Sequence, residues 1–161
     1  MTIASNLSRR SFVAALPFAF VACSGAVGSG SAADAAEPVP ELVVYKTPTC
    51  GCCTAWIDHV RDAGFPVRIV EVDDTTPVAT KYGVPGQLRS CHTAIVEGYA
   101  VEGHVPVREI RRLLAERPAI AGIAVPGMPI GSPGMEMGER RDPFTVVAFT
   151  RDGPGGAFAT Y

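Results

Sequence analysis

The chain has little charge and few aromatic side chains. Charged residues make up 19% and aromatic residues 7% of its 161 residues, and the only lysines are Lys46 and Lys81. Basic and acidic residues number 14 and 16, with no cluster of lysine and arginine to hold a phosphate backbone, which argues against a nucleic-acid partner. The hydrophobic fraction of 47% is nevertheless too high for a disordered chain, and the length suits one compact domain.

An export signal is predicted at the N-terminus. Residues 8–13 are Ser-Arg-Arg-Ser-Phe-Val, which is typical of a twin-arginine signal, and an apolar run occupies residues 12–22. This run is too short to span a bilayer, and its basic, acid-free lead fits a signal peptide. We therefore predict an export segment over residues 1–35 and a periplasmic location, where thiols stay oxidised unless they bind metal or are actively reduced.

Two cleavage sites remain open. Ala-Asp-Ala at residues 33–35 suits an ordinary signal peptidase, whereas Phe-Val-Ala-Cys at residues 20–23 resembles a lipoprotein box. The second site would make Cys23 the lipidated first residue and anchor the protein to a membrane. In both cases Cys23 stays out of the folded domain, residues 36–40 form a linker, and residues 41–161 form the domain.

The order of the short periodic segments predicts an α/β fold. Residues 97–98 are a two-residue turn that joins a hairpin, and the terminal strand is expected to pair beside that hairpin. This order, with cysteines at the first strand-to-helix turn, predicts a thioredoxin-like fold with a central mixed sheet and flanking helices. The predicted strands are 41–45, 67–72, 93–96, 99–102 and 144–150, the helices 53–63, 77–82 and 106–117, and the Gly-, Pro- and Met-rich loop 124–141.

Three of the five cysteines fall within four residues at a predicted helix start: Cys50, Cys52 and Cys53. Backbone N–H groups and the helix dipole at this place favour thiolate, the form that attacks disulfides and binds metals. Cys50 and Cys53 alone have the spacing of a redox C-x-x-C motif. Because Cys52 would compete for mixed disulfides, the three thiolates favour a soft cation such as Cu(I), held singly or as a bridged multinuclear cluster.

Two other interpretations of the cysteines stay open. One is a structural disulfide that joins Cys50 or Cys53 to Cys91, as small secreted domains often have. The other is a zinc site of Cys50, Cys52 and Cys53 with Cys91 or a histidine, although the adjacent Cys52 and Cys53 are awkward around one ion.

Further candidate ligands lie later in the chain. Cys91 and His92 precede a predicted strand, in the loop that faces the active cysteines of a thioredoxin-like fold, and are candidate second contributors. His104 follows the hairpin, and imidazole suits copper. His59 in the first helix is expected to be solvated.

Methionines are concentrated in the predicted loop, at Met128, Met135 and Met137. A thioether selects Cu(I) over zinc, although methionine also serves as flexible hydrophobic filler. The predicted metal ligands are Cys50, Cys52, Cys53, Cys91, His104, Met135 and Met137.

Taken together, these motifs resemble the CopG-like copper-resistance proteins, a family long described as a domain of unknown function. The resemblance covers residues 42–149, and its motifs are residues 46–53, 83–85, 90–94, 102–106, 125–129 and 131–136. It implies a thioredoxin-like fold and a periplasmic copper-binding role in copper handling or resistance. It also implies that Cys50, Cys52 and Cys53 hold a copper cluster, with redox activity on copper.

Three functions follow as hypotheses. The first is a periplasmic Cu(I)-binding protein whose partners are copper ions and other periplasmic copper-handling proteins. The second is a thiol-disulfide oxidoreductase in which Cys50 attacks and Cys53 resolves. The third is a structural domain with a disulfide, which no metal would stabilise.

Overall fold

The computed structural model describes residues 38–161. The predicted export segment, both cleavage sites, the lipid anchor at Cys23 and the start of the linker lie outside the described residues. Within residues 38–161, no helix combines the length and hydropathy needed to cross a bilayer. The elements are β1 (Leu42–Lys46), α1 (Gly51–Asp62), β2 (Val67–Glu71), α2 (Thr76–Lys81), a 3₁₀ turn (Gly86–Leu88), β3 (His92–Val96), β4 (Tyr99–Gly103), α3 (Val107–Glu116), β5 (Gly122–Val125), β6 (Thr145–Thr150) and β7 (Gly153–Thr160).

The strands form one mixed sheet of seven strands, in the order β2-β1-β3-β4-β5-β6-β7. β1 and β2 are parallel, as are β4 and β5, while every other neighbouring pair is antiparallel. The predicted α/β class with a central mixed sheet is therefore confirmed.

The sheet is covered on both faces. Val101 of β4 packs in a large core cluster with Trp56 of α1 and Ile110 of α3, whereas its neighbour Ala100 packs with Ala79 of α2. Since successive residues of a strand point to opposite faces, α1 and α3 lie on one face and α2 on the other. The larger cluster holds α1 against the strands whose ends carry the candidate ligands.

The hairpin between β3 and β4 turns at Glu97 and Gly98, as predicted. Both residues have positive φ, 48° and 83°, which is the backbone of a two-residue type I′ turn. The sheet register pairs Lys46 at the end of β1 with His92 at the start of β3. The start of α1, the start of β3 and the end of β4 therefore meet at one end of the sheet.

The predictions for the C-terminal part of the chain are wrong in three respects. Ala124 and Val125 do not begin a loop, because they belong to the buried strand β5. The strand at residues 144–150 does not pair beside the hairpin, since β5 lies between β4 and β6. A further strand, β7, follows it at the sheet edge.

These errors have physical causes. β5 has only four residues and begins with glycine, so it is too short to show a period. β7 begins Gly-Pro-Gly-Gly, a composition typical of turns, and an edge strand tolerates Pro154 because one side of it needs no partner. Helix α1 also begins earlier than predicted, at Gly51 rather than Cys53, which places two of the cysteines inside its first turn.

Candidate metal centre

The cysteine motif forms the beginning of α1. Cys50 is the N-cap residue, with extended backbone and no capping hydrogen bond from its side chain, and no acidic residue lies in the first turn. Cys50 is half-buried and Cys53 fully buried, and the two are joined by a disulfide. The structural-disulfide hypothesis placed Cys91 in this bond; that pairing is wrong, because Cys91 and Cys52 are both free thiols.

The four sulfur atoms converge. Cys52 Sγ lies 3.6 Å from Cys50 Sγ and 4.0 Å from Cys91 Sγ, and the Cys53 sulfur is 3.5 Å from the Cys91 carbonyl oxygen. All four Sγ atoms lie within 4.8 Å of one another. Cys91, which directly precedes β3, therefore lies with the three cysteines of the α1 turn.

Two imidazoles adjoin the Cys91 sulfur on its other side. His92 Nδ1 lies 3.3 Å and His104 Nε2 lies 3.1 Å from Cys91 Sγ, and both rings are buried. His104 Nδ1 donates a hydrogen bond of 2.8 Å to the Pro133 carbonyl. Because a carbonyl only accepts, Nδ1 of the neutral ring carries the hydrogen, and Nε2 presents its lone pair toward Cys91.

Burial keeps these groups uncharged. It lowers the pKa of His92 to about 3, with the neighbouring charges of His104 and Lys46 acting in the same direction, and it lowers the pKa of His104 as well. Burial, followed by the nearby Cys52 thiol, raises the pKa of Cys91 to about 12. The metal-free site thus holds neutral imidazoles, the ligand form of histidine, and a protonated thiol whose proton a bound metal would displace.

Trp56 ties α1 to the histidine side of the site. Its ring nitrogen donates a 2.9 Å hydrogen bond to the Val105 carbonyl, directly after His104. Its ring centroid lies 4.4 Å from that of His92. A single buried side chain thereby fixes the cysteine turn relative to both imidazoles.

The segment before β3 is fixed from β4. The buried Glu102 carboxylate accepts hydrogen bonds from the Ser90 N–H at 2.8 Å and from the Thr93 hydroxyl at 2.7 Å. Burial raises the pKa of Glu102, although these two hydrogen bonds act against the rise. Ser90 and Thr93 flank Cys91 and His92, so the carboxylate holds both sides of that pair.

The methionine-bearing loop packs on α1 at the cysteines. Gly134 has a φ of +82°, and a Cβ added there would lie 2.6 Å from the Trp56 backbone nitrogen and 2.9 Å from the Cys52 carbonyl oxygen. Beyond it, a carboxylate oxygen of Glu136 lies 2.9 Å from His59 Nε2. His59 is exposed, as predicted, but its pairing with the loop was not foreseen.

The predicted ligands are unequally placed. The four cysteines form one group, and His104 joins a second group with His92 and Cys91, so that the two groups share the Cys91 sulfur. Met137, by contrast, is 64% exposed, and Met135 is half-buried next to Gly134. His92, which the sequence indicated only as a second contributor, lies 3.3 Å from Cys91 Sγ, about as close as the predicted ligand His104. The sequence pattern that could have predicted its burial is its alternation with Ala94 and Val96, which face the core from β3.

The domain is a mixed α/β fold, and its thiols and imidazoles cluster where a strand enters a helix. Thiols and imidazoles are ligands of soft metal ions, so the fold and the site together indicate an α/β protein with a site suited to a soft metal ion. A family model described as Protein of unknown function, DUF411, matches residues 88–135. The matched stretch contains Cys91, His92, His104 and Met135. No curated protein matches the chain.

Two solved structures share the fold and much of the sequence. One, "Copper resistance protein copG- Form 2", is 44% identical over 76% of this chain and 98% of its own, with a TM-score of 0.73. The other, "Copper resistance protein copG- Form 1", is 46% identical over 78% of this chain and 98% of its own, also with a TM-score of 0.73. The chain belongs to the CopG copper resistance protein family, which confirms the resemblance seen in the motifs.

Proposed function

We propose that the chain is an exported copper-binding protein that takes up Cu(I) for copper handling or resistance. The observation that carries the proposal is the convergence of four cysteine sulfurs with two imidazoles around Cys91. Thiolate and imidazole are ligands that copper prefers, and both related structures are those of copper resistance proteins. Copper ions are the cargo, and other periplasmic copper-handling proteins are the proposed partners.

Copper is favoured over zinc by the number of donors. Sulfur separations of 3.6 and 4.0 Å would suit a single tetrahedral thiolate site. One zinc ion, however, uses four ligands, and the site assembles six with His92 included. Because the thiol group and the imidazole group share Cys91, the six residues would together hold more than one Cu(I).

Copper uptake requires the reduced protein. The Cys50–Cys53 disulfide offers no thiolate, so a dithiol reductant must first transfer two electrons and two protons to it, becoming a disulfide itself and leaving Cys50 and Cys53 as thiols. On binding, the thiols release their protons and become the ligands. We place Cys50, Cys52, Cys53, Cys91 and His104 as ligands, with His92 added and with Met135 and Met137 contributing from the loop.

The finer fold and the location belong to the same proposal. The order β2-β1-β3-β4, with α1 directly after β1 and its cysteines at that junction, supports the assignment of a thioredoxin-like fold. The twin-arginine pattern at residues 8–13 supports export to the periplasm, and Cys23 remains the proposed lipid attachment site.

Competition with a chromophoric Cu(I) chelator under anaerobic conditions tests the proposal. The reduced protein should take Cu(I) from the chelator stoichiometrically, and Cys52→Ser should lose most of that capacity. Thr54→Ser is the matched control, since Thr54 is exposed on the same helix turn and serine keeps the hydroxyl that donates to the Cys50 carbonyl, so binding should be unchanged. A reduced wild-type protein that takes no copper refutes the proposed function.

The disulfide also favours a second candidate, a thiol-disulfide oxidoreductase. The half-buried Cys50 thiolate would attack a substrate disulfide to form a mixed disulfide and release one substrate thiol. The buried Cys53 thiolate would then attack Cys50 Sγ, restoring the Cys50–Cys53 bond and releasing the second thiol. Cys53→Ser should trap the mixed disulfide with an insulin-like substrate, and Cys52→Ser should retain full reductase activity.

A further inference from the structure

Glu102 has a buried carboxylate whose two hydrogen bonds both go to the segment that carries Cys91 and His92. One oxygen accepts from the Ser90 N–H at 2.8 Å and the other from the Thr93 hydroxyl at 2.7 Å, and the residue is 1% exposed. Within residues 38–161 no cation forms an ion pair with this carboxylate. Both of its hydrogen bonds therefore go to the segment itself, and the nearby charge of Arg89 acts on the carboxylate without forming an ion pair.

The backbone hydrogen bonds between β3 and β4 do not extend to this whole segment. The ladder between β3 and β4 reaches from Val96 to Thr93, which pairs with Glu102, and β3 begins at His92. Ser90 and Cys91 precede the strand, so the Glu102 carboxylate takes the Ser90 N–H beyond the point where the ladder ends. Through this hydrogen bond β4 contacts the chain on the N-terminal side of Cys91, where the strand pairing has ended.

The next residue of β4 makes room for the same segment. A Cβ at Gly103 would lie 2.6 Å from Ser90 Oγ and 2.6 Å from the Val125 carbonyl oxygen, at a φ of +70°. Only glycine permits this approach. His104 follows immediately, with its Nε2 atom 3.1 Å from Cys91 Sγ. Three successive residues at the end of β4 therefore contact the Cys91 segment. Glu102 accepts its hydrogen bonds, Gly103 leaves space for it, and His104 faces the Cys91 sulfur.

We infer that Glu102 is a positioning residue of the metal centre: its two hydrogen bonds hold Cys91 and His92 in the orientation in which they face His104. The inference deepens the proposed copper-binding function and rests on it. Outer-shell groups of this kind typically change metal affinity by about 10- to 100-fold when they are removed.

The test compares Glu102→Ala with Glu102→Gln in the full-length reduced protein. Glutamine keeps both bonds, because its amide oxygen accepts from Ser90 and its NH₂ group donates to the Thr93 hydroxyl, whereas alanine removes both. Glu102→Ala should weaken Cu(I) binding about 10- to 100-fold against the chelator, and Glu102→Gln should stay within about threefold of wild type. Glu97→Ala, at the exposed opposite end of the same hairpin, is the matched control.

A second readout needs no copper. The rate at which iodoacetamide alkylates Cys91, followed by mass spectrometry of the reduced metal-free protein, should rise in Glu102→Ala and stay at the wild-type value in Glu102→Gln. Thr93→Val and Thr93→Ser form a milder pair if Glu102→Ala does not fold. Valine removes one of the two bonds and should raise the rate, whereas serine keeps the hydroxyl and should not.

The outcomes separate the two claims. A folded Glu102→Ala protein with wild-type copper affinity and wild-type Cys91 alkylation overturns the positioning role. Equal losses in Glu102→Gln and Glu102→Ala overturn it too, since they would assign the effect to charge. If the wild-type protein takes up no Cu(I), the proposed function fails, and the alkylation rates still decide whether Glu102 positions Cys91.

Discussion

The two halves of the proposed metal centre are assembled in different ways. The thiol half, Cys50, Cys52 and Cys53, comes from one turn of chain at the start of α1. The imidazole half, His92 and His104 around Cys91, comes from the ends of two strands. Local chain geometry is enough to bring the first half together, whereas the second depends on packing across the sheet. Copper binding by the thiol half should therefore depend on the redox state of its cysteines. Copper binding by the imidazole half should depend on packing.

Oxidation is expected to have the largest effect, and it acts on the thiol half. Protein with the Cys50–Cys53 disulfide intact should bind Cu(I) at least about 100-fold more weakly than the reduced protein, because disulfide sulfur carries no ligand charge. Anaerobic chelator competition on separately prepared oxidised and reduced samples measures the difference.

The control for oxidation is the double variant Cys50→Ser/Cys53→Ser. It cannot form the disulfide, so its weak binding should be the same with and without prior reduction. Equal Cu(I) affinity of the oxidised and reduced wild-type protein would show that the thiol half is not needed, and the comparison between the two halves would collapse.

Removal of one imidazole should have a smaller effect. His104→Ala should weaken Cu(I) binding by about 10- to 100-fold while leaving the response to reduction in place, because the thiols remain. His59→Ala serves as control, since its ring is exposed and pairs with Glu136 rather than with the cluster. A His104→Ala protein that binds copper as well as wild type would remove the imidazoles from the site and leave an all-thiolate centre.

The thiol half was predictable from the sequence because its geometry is local. Three cysteines in four residues between a strand and a helix can only meet at the helix start. The strands before and after α1, which are β1 and β2, were predictable for the same reason, as was the hairpin turn at residues 97–98. Each depends on a short-range sequence pattern.

The imidazole half was only partly predictable because its contacts are distant in sequence. His104 was chosen for its residue type and loop position, and nothing near it in the chain foretells the Pro133 carbonyl that fixes its ring. The bond from Trp56 to the Val105 carbonyl joins residues 49 positions apart. The sequence does not distinguish Glu102 from other carboxylates in strands. Its role depends on the hairpin register, which places it opposite Thr93.

The contact between the loop and α1 can be broken at one glycine. Gly134→Ala forces a Cβ to within 2.6 Å of the Trp56 backbone nitrogen, so the loop must shift and take the Pro133 carbonyl from His104. We expect a loss of about 1–3 kcal/mol in unfolding free energy, measured by urea denaturation, and a several-fold loss of Cu(I) affinity.

Gly138→Ala is the matched control for the loop contact. Its φ of +62° imposes a similar backbone cost, but a Cβ there meets nothing within 4 Å. The difference between the two variants therefore isolates the contact with α1 from the strain of a positive φ. Identical stability and copper affinity in the two variants would show that the loop does not support the imidazole half.

The smallest effect on copper is expected away from both halves, at the buried carboxylate of Glu109 in α3. Burial raises the pKa of this group, but hydrogen bonds from Arg108 and Tyr161 and the charges of Arg108 and Arg112 outweigh it, so the folded pKa lies below the ordinary value of 4.5. Its stabilising contribution is therefore present above about pH 4.5 and is lost as the pH falls through the folded pKa.

Glu109→Gln should lower the unfolding free energy by about 1 kcal/mol at pH 7, a modest value because water screens the exposed Arg108, and the gap to wild type should close as the pH falls below 4.5. Glu116→Gln, an exposed partner of Arg112, should change stability by less than about 0.5 kcal/mol. Cu(I) affinity at pH 7 should be unchanged in both variants. If Glu109→Gln weakened copper binding as strongly as His104→Ala, the imidazole half would be responding to the stability of the whole domain, and its contacts with Glu102, Trp56 and Pro133 would not be what holds it.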